Sequence, residues 1–191
     1  PRVARLRDYI ENERKVLSAI PTPPDVRAGR ILTEMLRHGT TAVRSHIDVA
    51  PDMGLSHVEA MLRVREEWRD RVDLQFVAFP QQGLLSRPGT ADLMREAMDM
   101  GVETVGGLDP AGIDGDPDGQ LRFIFDLAVE KGAGIDIHLH DTGDLGAWQV
   151  ERIADYTEAS GLAGKVMISH AYCLGMIAEC RLDAIGRRLA D

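Results

Sequence analysis

The sequence predicts a five-stranded parallel α/β sheet, folded as part of a (β/α)8 barrel within 191 residues. Three observations carry that prediction. Strands and helices alternate along the chain, and successive strands begin roughly 30 residues apart, the length of one strand-plus-helix unit. The strand at 43–49 sets Val43, Ile47 and Val49 against Arg44, His46 and Asp48, and the strand at 135–140 sets Ile135, Ile137 and Leu139 against Asp136, His138 and His140. In each, the apolar face can meet helices, while the polar face needs partners if it is buried. Strands of an open doubly wound sheet are covered on both sides and read as continuous apolar runs. A barrel instead gives the polar face a ligand-bearing interior. A full barrel takes about 250 residues. Five strands in 191 residues, opening on Pro1 rather than Met, therefore predict an internal fragment of a single barrel domain. Such a fragment exposes strand edges and is expected to be poorly soluble by itself.

The elements follow in order. Residues 1–20 read as a charged helix, with Val3, Leu6, Ile10, Val16 and Leu17 among Arg, Glu and Lys. Pro21-Thr22-Pro23-Pro24 breaks it, and Asp25 can cap the next helix, which carries Val26, Ile31, Leu32, Met35 and Leu36 and stops at Gly39. The strand at 41–49 comes next. Ser56-His57-Val58-Glu59 has capping-box spacing and opens a helix to about Trp68. The strand Asp73–Phe79 ends in Pro80-Gln81-Gln82-Gly83, and a helix from Thr90 stops at Gly101. A strand at 102–108 leads through an acidic loop to a helix near 121–130 that stops at Gly132. The strand at 135–140 precedes a helix near 148–159, then a strand at 165–170 and a last helix near 177–189. Met35, Met61, Met94 and Met98 lie at helical spacing and read as core.

Composition excludes several classes. Hydrophobic residues are 44% and charged residues 28%, a globular balance. A net charge of −9 with 5% aromatics supplies neither the basic stripe nor the stacking platform of a nucleic-acid binder. No apolar run is long enough to span a membrane, and no basic, then apolar leader opens the chain. The two cysteines, Cys173 and Cys180, do not make a disulfide framework. A small-molecule partner and a cytoplasmic location are the expectation, and homo-oligomerisation of the full-length protein is left open.

The chemistry concentrates at strand ends. His138, His140 and Asp141 close one strand and His170 the next, where parallel α/β folds place their active sites. That spacing suits metal ligation or a histidine acting as base on water. Rim histidines bonded to water or backbone would satisfy it equally. Asp114-Gly115-Asp116-Pro117-Asp118-Gly119 mimics the start of a calcium loop, but Phe125 stands where a bidentate Glu belongs, so it reads as a helix-capping loop. Cys173 reads as a buried free cysteine rather than a ligand. His38, before Gly39, reads as structural, and His57 as solvated. The H-x-E and P-C-x-x-C signature of one class of zinc deaminases is absent.

Phe76-Val77-Ala78-Phe79-Pro80-Gln81-Gln82-Gly83-Leu84-Leu85-Ser86, then Ile135-Asp136-Ile137-His138-Leu139-His140-Asp141, then Ser169-His170-Ala171 resemble the amidohydrolase superfamily, closest to its cytosine-deaminase-like branch. Arg44-Ser45-His46-Ile47-Asp48-Val49 resembles that branch's second strand, so the chain would carry strands two to six of a TIM-type barrel. The resemblance implies a hydrolase of non-peptide carbon–nitrogen bonds that holds one divalent ion, zinc or iron. His138 matches its metal ligand, Asp141 its proton shuttle and His170 the histidine that orients water and substrate. Gln81 matches its heterocycle contact, and Asp109, in the loop after strand four, could touch a substrate amine or simply form a turn. His140 falls to a substrate-facing or supporting role, and His46 and Asp48, on the polar face of their strand, could support the site from behind or form a structural hydrogen-bonded cluster inside the barrel. The implied substrate is a pyrimidine- or triazine-like ring undergoing deamination; loss of an N-substituent or opening of a cyclic amide is the alternative. Two departures stand out. The family acid is usually Glu where this chain has Asp141. The His-x-His pair of strand one and the Asp of strand eight have no counterpart here, so the fragment itself is expected to be inactive. A catalytically incomplete relic or binding module is the competing class.

Overall fold

A computed structural model describes residues 6–190. Val3, read as part of the first helix, lies outside them. Five parallel strands stand in sequence order: β1 Ala42–Asp48, β2 Asp73–Phe79, β3 Thr104–Leu108, β4 Gly134–Leu139 and β5 Val166–His170. Seven helices accompany them: α1 Leu6–Ala19, α2 Pro24–Arg37, α3 Ser56–Trp68, α4 Thr90–Asp99, α5 Pro117–Lys131, α6 Gly143–Ser160 and α7 Glu179–Ala190. The result is a half-barrel of βα units. Among the described residues, the outer edges of β1 and β5 have no strand partner.

The alternation in the strands becomes two faces. Phe76, Ala78, Ile135 and Ile137 turn toward the helices and join Val58, Trp68, Met94, Leu121 and Ile124 in the main core. Each of these four strand residues is 0–1% exposed. The other face, with Arg44, His46, Asp136, His138 and Ser169, is concave. Its curvature is measured by a contact between strands that are not neighbours: the Arg44 guanidinium of β1 reaches the Asp136 carboxylate of β4 at 3.5 Å.

Several local readings shift. α5 starts earlier than the periodicity implied, because Asp116 accepts the Gly119 N–H at 2.9 Å and Pro117 supplies a preset first turn. It ends at Gly132, whose φ of 65° needs glycine. The capping box at Ser56 does not form: the Ser56 hydroxyl donates back to the Met53 carbonyl at 2.9 Å, and Leu55 holds the cap position. Asp25 likewise lies inside α2, whose cap position is Pro23. Asp114 organises the loop after β2, accepting the backbone N–H groups of Leu84, Leu85 and Ser86 at 3.0–3.2 Å. Met94 and Met98 are buried in the main core, and Met35 and Met61 pack against that core. Cys173 is buried and unpaired. His38 bonds the Glu34 carbonyl at 2.8 Å. His57 is half-buried rather than solvated; burial and nearby Arg27 push its pKa down.

α1 lies over the C-terminal end of the sheet. Its Ile10 packs with Phe79 of β2, Leu108 of β3 and Ile113. Arg7 bonds the Ile113 carbonyl, and Arg14 pairs with Asp52 at 2.5 Å. Among the described residues, no helix is long and apolar enough to cross a membrane.

Candidate active site

Residues two apart on a strand share a face, so β4 carries Asp136 and His138 into the concavity, with His140 just beyond its end. β5 delivers Ser169 and His170, and β1 delivers Arg44 and His46. The four imidazoles converge. Ring centroids lie 4.2 Å apart for His46 and His138, 4.7 Å for His138 and His170, and 4.3 Å for His140 and His170. Phe79 closes one side at 4.7 Å from His138 and 5.0 Å from His46. It has room to do so because β3 presents Gly106 there: a Cβ on that residue would sit 2.4 Å from the Ala78 carbonyl oxygen and 3.0 Å from the Phe79 ring.

His138 is the most perturbed base of the group. Burial first, then the neighbouring His46 and His170, push its pKa down to about 4, so it is a neutral imidazole at physiological pH. His140 is held by Asp109, which is 2% exposed. One Asp109 oxygen contacts the His140 ring Nδ1 at 2.9 Å, and the other accepts the backbone N–H groups of His140 and of Asp141, the latter at 3.1 Å. Burial raises the Asp109 pKa against those hydrogen bonds. The Tyr172 hydroxyl lies 3.3 Å from Nδ1 of His170. Asp109, His170 and Ala171 are the non-glycine residues with left-handed φ among those described, at 34°, 70° and 45°. All three lie at this rim, and strained backbone persists where its surroundings over-determine it.

The anticipated residues divide into two sets. His46, His138, His140, His170 and Asp109 come together. Asp141 turns toward the loop after β3: its carboxylate accepts the Gly112 N–H and the Gln149 side-chain N–H, each at 2.9 Å. Gln81 donates to Glu13 of α1 at 2.9 Å. Asp48 faces that same helix. Its pKa is raised to about 6, by burial first and then by Glu13, against a lowering by His46.

Sequence reasoning gave no role to Asp136, Arg44, Ser169, Phe79, Tyr172 or Glu13. Asp136 was findable, since it shares the face of His138 two residues away. Glu13 carried no signal, being one acid on a charged helix.

The donor chemistry fits a divalent transition metal. One ligand atom from each of His138, His140 and His170 lies within 4.8 Å of the others, and the same holds for His46, Asp136 and His138. Imidazole suits zinc and iron, and neutral His138 needs no proton removed to bind. Both groups contain His138.

Imidazoles and carboxylates gathered at the C-terminal strand ends of a half-barrel are the arrangement in which α/β barrels place their active sites. The sequence profile described as the Amidohydrolase family matches residues 19–190, and the chain belongs to that family. It is 40% identical over 136 residues to N-isopropylammelide isopropyl amidohydrolase of Pseudomonas sp. (strain ADP), covering 71% of this chain and 34% of that protein. The crystal structure of N-isopropylammelide isopropylaminohydrolase from Burkholderia multivorans ATCC 17616 superposes with a TM-score of 0.93 at 42% identity, over 96% of this chain and 47% of that one. The 5-methylcytosine deaminase of Klebsiella pneumoniae, liganded with phosphonocytosine, superposes with a TM-score of 0.84 at 30% identity, over 95% and 44%. The chain thus spans less than half the length of each.

Proposed function

We propose that these residues form part of the active site of a hydrolase that breaks an exocyclic carbon–nitrogen bond on a pyrimidine- or triazine-like ring. The observation that carries the reading is the convergence of His138, His140, His170 and buried Asp109 at the C-terminal end of the sheet. His138 holds the ion, zinc or iron, and the chain forms part of a single barrel domain, a reading supported by its covering less than half the length of its relatives. When bound, such an ion supplies water that deprotonates near neutral pH.

The chain's own groups do the rest. Asp109 fixes the His140 ring so that its other nitrogen faces the cleft, where it can take a proton from water and return it to the departing nitrogen. His170, in ring contact with both His138 and His140, orients water and substrate. Phe79 gives the heterocycle an apolar wall. Gln81 contacts the ring once its bond to Glu13 is exchanged for one to substrate. Asp141 is the second proton carrier available, at the expense of its bonds to Gly112 and Gln149. Deamination and loss of an alkylamine are the same displacement with different leaving groups. The 42% identity to an isopropylaminohydrolase favours the alkylamine reading, and the 30% identity to a deaminase supports loss of ammonia. The unpaired Cys173 and Cys180 suit a reducing cytoplasm.

The test is metal content and product release for the protein expressed from its whole reading frame. Cytosine, an isopropylamino-triazine and a cyclic amide are offered in parallel. About one equivalent of zinc or iron, with ammonia or isopropylamine released, is the expected result. No ion and no turnover would overturn the reading in favour of a binding module or fold relic.

A further inference from the structure

Beneath the histidines lies a charge that the chemistry above does not use. Asp136 is 1% exposed, at the middle of β4. Its Oδ1 accepts the Ser169 hydroxyl of β5 at 2.8 Å. Its Oδ2 faces the Arg44 guanidinium at 3.5 Å and Nε2 of His46 at 3.6 Å, both from β1. Burial raises its pKa, but the polar edge of His46 and the Ser169 hydroxyl outweigh that and hold it below the ordinary carboxylate value. The His46 nitrogen has no hydrogen-bond partner and is itself buried.

We propose that Asp136 is a positioning residue: a buried carboxylate that, held by Arg44 and Ser169, ties β1, β4 and β5 together across the concave face and so sets the spacing of His46, His138 and His170. Each strand that Asp136 touches also carries one of those histidines. Ser169 immediately precedes His170, and Asp136 lies two residues from His138 on the same face. His46 touches both: its Nε2 lies 3.6 Å from the carboxylate, and its ring is tilted against that of His138 with centroids 4.2 Å apart.

Asp136, His46 and His138 are close enough to share an ion themselves. Charge argues against it. An ion there would sit beside the Arg44 guanidinium already drawn to that carboxylate, and the two positive charges would repel. The ion therefore belongs on the outer side of His138, toward His140 and His170, and Asp136 acts on it through the strands that carry those histidines rather than by touching it.

This inference rests on the metal-site reading for its effect on an ion, but not for its effect on the rings. The experiment therefore has two arms on the protein expressed from its whole reading frame. In the first, cobalt(II) is titrated into wild type, Asp136→Asn and Ser169→Ala. Asp136→Asn is expected to weaken cobalt about 10- to 100-fold, with an unchanged visible spectrum at saturation. Ser169→Ala keeps the charge and removes one hydrogen bond, so it should shift affinity in the same direction by less. An equal affinity in Asp136→Asn overturns the proposal, and so does a changed saturated spectrum, which would make Asp136 a ligand. The second arm uses the ion-free chain and records imidazole 15N resonances. His46 and His138 should each sit in one tautomer in wild type and drift toward a tautomer average in Asp136→Asn, while Arg44→Met/Asp136→Asn should recover part of the change. Unchanged rings overturn the proposal. Wild-type protein that takes no cobalt removes the metal reading alone, and the ring spectra still decide the role of Asp136.

Discussion

The two faces of β4 contrast more sharply than any two separate regions of the protein. Ile135, Ile137 and Leu139 are 0–1% exposed against the helices. Asp136, His138 and His140, interleaved with them, line a cleft in which burial prevails at His138 and polar partners prevail at Asp136. The outer face gains free energy from water exclusion, and the inner face gives some back by desolvating charge and imidazole. Stability and chemistry are therefore encoded in alternating residues of one strand.

Substitutions should separate the two faces. Ile137→Ala carries the largest expected effect, a loss of about 3 kcal/mol from a cavity between the sheet and α5, read by urea denaturation. Metal affinity of the folded fraction should not move. If it falls in step with stability, the faces are coupled. On the inner face the sign reverses. The Asp48 carboxyl, with its pKa raised to about 6, favours the folded state fully below pH 3.8, and that contribution is lost as pH rises through about 6. Asp48→Asn should therefore stabilise the protein by about 2 kcal/mol at pH 8, allowing for partial exposure, and do nothing below pH 3.8. Melting curves across that window check it.

Asp109→Asn comes next, with a change within about 1 kcal/mol at pH 7, because removal of a charge that burial disfavours offsets the weaker acceptor left for the backbone N–H groups of His140 and Asp141. Its clearer consequence is a His140 ring freed to change tautomer, visible by NMR. His138→Ala should matter least to folding, within about 1 kcal/mol at pH 7, while removing bound metal. His138 folds with its pKa lowered to about 4, so wild type loses stability as pH falls from 6.5 toward 4. That slope should flatten in the variant. A steep slope that survives would assign it to other groups.

Surface ion pairs lie outside the contrast. Arg188 bridges Asp155 and Glu158 at 2.7 and 2.8 Å from α7 to α6, with a third of its side chain exposed. Such pairs tune packing of the last unit and are worth little individually.

Period two in the strands and the stop glycines were enough to place the five βα units, and they put His138 and His140 on one side of β4 before any coordinates. Helix starts were read less well. Asp116 and Pro117 began α5 inside what read as loop, and Ser56 bonded backward instead of capping. Local propensity there was overridden by which carbonyl or N–H lay nearest in three dimensions. Among site residues, the role of Asp141 rests on the family resemblance, and a motif match does not say where a carboxylate turns; here it turns to Gly112 and Gln149.

What the sequence determined by itself is therefore what depends on neighbours along the chain: strand and helix order, the polar face, and the histidines at strand ends. The tertiary structure alone decided what depends on sheet curvature. Arg44 and Asp136 are 92 residues apart and meet because the strands coil until β1 faces β4. Asp109 reaches His140 because the loop after β3 turns back on the end of β4. Pairing along a strand follows from a fixed two-residue repeat, whereas contact across the concave face follows from the accumulated twist of five strands, which no local pattern encodes.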